Sequence, residues 1–220
     1  MQKLQSERFV TAEGASETAK LARTVRGALG NRSVVFVGMM GSGKSSIGRR
    51  LALALELPFS DADAAIEQAA GMTVEDIFGV HGEPYFREGE ERVIKRLLQT
   101  GPQVIATGGG AVLSGKTRSE IASNGVSIWL KAPVELLLQR VSRRDNRPLL
   151  KTADPRAVLT RLLSEREAHY AEATLVYQSR DCPHEAAVDE ILLLLASYLG
   201  RGDSFAKEGA SALNGNERNS

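Results

Sequence analysis

The residues best suited to chemistry are Lys44 and Ser45, which end the run Gly38-Met39-Met40-Gly41-Ser42-Gly43 and complete the phosphate-binding pattern G-x-x-x-x-G-K-[ST]. Glycines here let the backbone turn with positive φ and bring its N–H groups to phosphate oxygens, while a following helix N-terminus adds positive potential. Gly41, Ser42, Gly43, Lys44, Ser45 and Ser46 are therefore the candidate nucleotide contacts. Lys44 would reach the β and γ phosphates, and the Ser45 hydroxyl is placed to ligate Mg²⁺. The competing reading is a glycine turn that merely precedes a helix. Against it, residues 34–37 form an apolar strand before the loop, and Ile47, Leu51, Ala54 and Leu55 form a helical stripe after it.

Further residues with chemical capacity are spread along the chain. Asp61 and Asp63 follow a short apolar stretch, 57–60, at a strand end, where α/β proteins bind ligands; an aspartate there can equally cap the next helix. Arg87 and Glu90 lie in a helix expected over 83–99, spaced to pair on one face or to be a solvated surface. Gly89 inside that helix costs roughly 1 kcal/mol against alanine and points to close packing or a kink. Gly108, Gly109 and Gly110 follow the strand 104–106, where side chains would obstruct something. Arg140, Arg143, Arg144 and Arg147 crowd one segment, as a phosphate-facing group or a solvated charge run. Arg166 sits on a helix expected over 155–170, flanked by Glu165 and Glu167.

Strands expected at 34–37, 57–60, 104–106, 126–130 and 174–177 alternate with helices, the pattern of a parallel sheet in a three-layer α/β/α arrangement. A break at 79–82 precedes the 83–99 helix, and the last helix spans 185–199. Residues 1–30 read as a peripheral or mobile extension with a short helix over 17–29, residues 31–200 as the functional domain, 144–154 as a loop able to move over a site, and 201–220 as a disordered tail.

Composition narrows the classes. With 28 basic against 27 acidic residues in 220, no general field for nucleic acid or anionic lipid follows. The single Cys182 excludes an internal disulfide, and His81, His169 and His184 have no ligand spacing. No apolar run is long enough for a membrane span, and the start MQKLQSERF lacks a signal peptide's apolar centre, so the expected compartment is the cytoplasm. The guanine-reading Asn-Lys-x-Asp of GTP-binding switches is absent.

Taken in order, Gly38 to Ser45, Asp61-x-Asp63, Phe86-Arg87 with Glu90-Glu91, Gly108 to Gly110, Arg147-Pro148-Leu149-Leu150, and Arg166 with Tyr170 closely resemble the shikimate kinase family over about residues 33–199. The resemblance implies the P-loop kinase fold with strand order 2-3-1-4-5, ATP as co-substrate, Mg²⁺, and phosphorylation of the 3-hydroxyl of shikimate by a monomer. It implies that Arg87 and Arg166 hold the acceptor carboxylate, that Asp63 orients or deprotonates the acceptor hydroxyl, and that Asp61 reaches Mg²⁺ through water. It further implies that 108–110 lie against the acceptor ring and that Glu90 steadies Arg87. Arg147 matches the arginine closing over the transferring phosphate, and Arg140 the one stacking on adenine; Arg180 is an adenine-side candidate. One departure is Ala168, where the family often has proline. Rival readings are a gluconate-type or nucleotide kinase, a non-catalytic ATP-binding regulator and a nucleic-acid binder.

Overall fold

The computed structural model of the protein describes residues 12–142 and 154–214. Its centre is a five-stranded parallel sheet of β1 (Ser33–Val37), β2 (Phe59–Asp61), β3 (Val104–Ala106), β4 (Gly125–Lys131) and β5 (Leu175–Gln178), in the order β2-β3-β1-β4-β5. The central strand β1 is buried along its whole length, which explains its unbroken apolar sequence. Registers such as Val35 beside Ile105 and Ser127 align the C-terminal strand ends, so the segments leaving β1, β2 and β3 emerge at one edge of the sheet.

Alternate residues of the strands feed two cores. On one face Val34, Phe36 and Ile128 pack under α1 (Ala12–Leu29), α2 (Lys44–Ala54) and α8 (His184–Asn214). On the other, Val35, Val37 and Trp129 pack under α4 (Val74–Gln99), α5 (Gly115–Asn124), α6 (Val134–Ser142) and α7 (Pro155–Tyr170). A third, smaller core of Ile66, Ile77, Phe86 and Val93 joins α3 (Ala62–Ala70) to α4, at the sheet edge where β2 ends.

Several sequence expectations change in detail. The strand expected at 57–60 is Phe59–Asp61, so Asp61 both ends β2 and caps α3. The break at 79–82 is a single non-helical residue, Gly82, with φ 80° inside α4. Gly89 marks neither a kink nor close packing, since a Cβ there would meet nothing within 4 Å. For residues 17–29 the picture of a peripheral or mobile extension does not hold: Ala22, Val25 and Leu29 of α1 are buried in the first core against α8. Its apolar stripe finds its partner in α8, at the other end of the described chain, information no local window carries. The last helix, expected to end at 199, is α8 and runs on to Asn214. Residues 200–214 contain no proline, and an existing helix propagates without a new nucleation cost.

Candidate active site

Local structure explains the first group of functional side chains. The loop between β1 and α2 reverses through Gly43, whose φ of 99° excludes a side chain without strain, and α2 begins at Lys44. Lys44 Nζ donates to the carbonyls of Gly38 (2.8 Å) and Met39 (3.0 Å), so its ammonium is held over the loop. Ser45 Oγ donates to Asp61 Oδ2 at 2.6 Å, while Asp61 Oδ1 accepts from the backbone N–H of Asp63 at 3.2 Å. One oxygen of Asp61 thus caps α3 and the other bonds the Ser45 side chain at the end of the phosphate loop.

A cleft of about 350 Å³ opens here, lined among others by Lys44, Ser45, Asp61, Asp63, Gly109 and Arg140. Arg140 crosses from α6, donating from Nη1 to the Ser42 carbonyl (3.3 Å) and from Nη2 to the Arg180 carbonyl (3.0 Å). Arg180 itself is turned away: its guanidinium pairs with Glu190 of α8. The wall after β5 consists instead of Asp181, Cys182 and His184, which sequence reasoning did not select. The available signal was their position just beyond a strand end.

The second group comes from three helices and converges on the turn after β3. Arg87 of α4 donates from Nη1 to Glu90 Oε2 at 2.6 Å, and from Nη2 and Nε to Glu83 Oε1 at 3.0 and 3.2 Å. Glu83 was overlooked, although it stands four residues from Arg87 on one helix face. The guanidinium lies against Gly110, where an added Cβ would be 2.5 Å from Nη2. Beside it, a Cβ on Gly108 would meet Glu90 Oε1 at 2.6 Å and Asp63 Oδ1 at 2.8 Å, so these two carboxylates flank the same glycine. Arg166 of α7 donates from Nη1 to the Gly109 carbonyl at 3.1 Å. Its flanking acids are engaged elsewhere, Glu165 with Arg161 and Glu167 with Lys131, which leaves Arg166 to the glycine turn.

Tyr170, one turn beyond Arg166, also donates to the Gly109 carbonyl. Its ring is fully buried and stacks on Trp129 with centroids 5.8 Å apart. Burial pushes its phenol up to about 12, which keeps the hydroxyl a donor at physiological pH. Tyr170 entered the sequence reading only as part of a motif, with no role of its own.

Burial is also the largest influence on Glu90, which is 2% exposed. It raises the carboxyl above the ordinary glutamate range; Arg87 and Arg166 oppose that shift, and nearby Asp63 adds to it. Glu90 Oε1 has no hydrogen-bond partner among the described residues. Asp63, Arg87, Glu90 and Arg166 therefore form one interacting charge cluster, which meets the phosphate cleft at Asp63.

The donor set suits a hard divalent cation: the Ser45 hydroxyl and the Asp61 carboxylate share one short contact. Among the described residues no cluster of three or more His, Cys, Asp and Glu side chains gathers. Arg147 and the 144–153 part of the expected lid lie outside the described residues.

A phosphate loop at the central strand of a 2-3-1-4-5 parallel sheet, beside a glycine turn flanked by Arg87 and Arg166, is the arrangement of the P-loop small-molecule kinases. The family model for shikimate kinase matches residues 40–196. Shikimate kinase of Nitrobacter winogradskyi is 56% identical over 191 residues, covering 86% of this chain and 87% of the relative. That of Bradyrhizobium diazoefficiens is 58% identical over 172 residues, covering 78% and 83%. The solved shikimate kinase from Acinetobacter baumannii in complex with shikimate superposes with a TM-score of 0.74 at 36% identity, covering 78% of this chain and 97% of that one. This chain belongs to the shikimate kinase family.

Proposed function

We propose that the protein transfers the γ-phosphoryl group of ATP to the 3-hydroxyl of shikimate, giving shikimate 3-phosphate and ADP. The observation that carries the proposal is the convergence of Arg87, Arg166 and Asp63 around residues 108–110, beside the cleft that holds Lys44. A guanidinium fork matches a planar carboxylate, and two arginines from different helices hold it better than one. Asp63, at the junction of acceptor corner and phosphate loop, faces the acceptor hydroxyls.

In this reading the acceptor oxygen attacks the γ-phosphorus as the bond to the β-bridging oxygen breaks, and its proton passes to Asp63. ADP leaves with the bridging oxygen. Most of the catalysis is alignment and charge neutralisation. Lys44 neutralises the γ-phosphate, the loop N–H groups of 41–46 hold the triphosphate, and Arg140 lies on the base side with Asp181 and His184. Glu90 and Glu83 keep the Arg87 fork oriented, while Tyr170 and Arg166 pin the Gly109 carbonyl. Ser45 and Asp61 are the residues that would hold Mg²⁺, which would supply positive charge to the phosphates. Arg147 is assigned to the transferring phosphate and 144–154 to a lid. A monomer acting in the cytoplasm completes the reading, with sedimentation and cell fractionation as its checks. Among the described residues no helix is long and apolar enough to cross a membrane.

The test is ADP release from ATP with Mg²⁺ and, in parallel, shikimate, gluconate, nucleoside monophosphates or no acceptor. Release that depends on shikimate, and is lost in Asp63→Asn, is expected. Equal release with gluconate, or none with any acceptor, would overturn the proposal.

A further inference from the structure

The groove between α3 and α4 is used by none of the chemistry above. It holds about 320 Å³, at the lower end of small-molecule sites. Its lining includes Ile66 from α3 and Ile77, Tyr85, Phe86 and Gly89 from α4. A side chain at Gly89 would meet nothing within 4 Å, so the missing Cβ leaves real space there. Arg92 and Arg96 stand at the rim, one turn apart, both exposed. Among the described residues neither guanidinium has an ion-pair partner, and no carboxylate lines the groove. A mostly apolar groove with aromatic lining and two cations that have no ion-pair partner among the described residues is complementary to one kind of occupant.

We infer that this groove is a second ligand site that takes a small aromatic carboxylate, its ring against Phe86 and its carboxylate on Arg92 and Arg96. The site has a route to the acceptor corner. α3 also carries Asp63, and the Arg87 guanidinium lies 5.2 Å from the centroid of the Phe86 ring, whose other neighbour is Phe78 at 4.6 Å. An occupant touching Phe86 therefore alters the setting of Arg87, and by linkage the acceptor alters the affinity of the groove. This coupling rests on the acceptor-binding role proposed for Arg87; the binding itself does not.

The test is calorimetric titration of 3-phenylpropanoate into the full chain, with and without saturating shikimate and ADP to occupy the first site. Saturable binding with a dissociation constant on the order of 1 mM or tighter is expected in both conditions. The neutral 3-phenylpropanamide should bind about tenfold more weakly, because it cannot form charge-assisted bonds to the arginines. Arg92→Gln combined with Arg96→Gln should weaken the acid by about the same factor and leave the amide unchanged. Gly89→Leu, which fills the slot, should abolish binding while the melting temperature stays near that of the unaltered chain. No saturable heat, equal binding of acid and amide, or undiminished binding to folded Gly89→Leu would each overturn the site. The acid and amide comparison uses the unaltered chain, so it decides the matter even if a variant fails to fold. Binding with no change in the shikimate KM would overturn the coupling alone, and a chain inactive on shikimate would overturn the proposed reaction while the titration still judged the groove.

Discussion

Replacing Gly110 with alanine adds one carbon beside the Arg87 fork. The backbone tolerates it, since Gly110 has φ −107° and ψ −3°, a conformation open to alanine. The added Cβ would lie 2.5 Å from Nη2 and 2.7 Å from both Cζ and Nη1. Comfortable contact is about 3.5 Å or more, so the guanidinium must retreat by about 1 Å. It can do so cheaply because it is the flexible end of a long side chain. Its bonds to Glu90 and Glu83 then lengthen, and its fork no longer faces the bound carboxylate squarely. Each charge-assisted bond contributes about 1.5–3 kcal/mol, so the shikimate KM should rise by about 10- to 100-fold. The ATP KM should not move and kcat should change by less than about threefold, because binding rather than charge development in the transition state is lost. The melting temperature should stay within about 2–4 °C, the equivalent of about 1 kcal/mol for a chain of this size. Initial rates with shikimate varied at saturating ATP, followed by ADP release, provide the assay. An unchanged shikimate KM in a folded variant, or an equal rise in the ATP KM, would refute the placement of Arg87 as the carboxylate clamp.

Three further outcomes follow from the same geometry. Lys44→Met should lower turnover by about 10²–10³-fold through loss of charge at the γ-phosphate, and a fall below tenfold in the ADP-release assay would contradict that role. Glu90 binds its proton more tightly folded than unfolded, so its contribution to stability is present at low pH and is lost as pH rises from the ordinary glutamate value through its raised value. Urea unfolding at a series of pH values should therefore find wild type losing stability relative to Glu90→Gln across that window, whereas parallel curves would disprove the raised ionisation. Tyr170→Phe keeps the stacking on Trp129 but removes one donor from the Gly109 carbonyl, so it should cost about 0.5–1.5 kcal/mol in denaturant unfolding. The same variant should raise the shikimate KM a few-fold with the ATP KM unchanged; a shift in the ATP KM alone would place Tyr170 on the wrong side of the cleft.

Much of the architecture is legible in the sequence. The phosphate loop from Gly38 to Ser45 is a local device whose strand, turn and helix are specified by adjacent residues, and it lies where the motif required. The alternation of apolar strands with helical stripes was equally local, which is why the five strands fall within a residue or two of expectation. Periodicity did not supply the strand order; the resemblance carried by spaced motifs did. The break at Gly82 was visible as a glycine pair, but the space at Gly89 was not, because a sequence does not say what faces a missing side chain.

Other features are products of tertiary structure alone. Asp63, Arg87 and Arg166 stand on α3, α4 and α7, and only the parallel crossovers bring those helices to the turn at 108–110. The partners that settle each arginine are likewise distant or undetermined by spacing: Arg180 turns to Glu190, and Arg166 reaches Gly109 because Lys131 and Arg161 occupy its acidic neighbours. The burial of α1 depends on α8, at the far end of the chain. By itself the sequence determined which chemistry was possible, since motif identity and strand-helix alternation are set by near neighbours. Which charges meet, and which helix is core rather than appendage, is decided by long-range packing that only the folded chain defines.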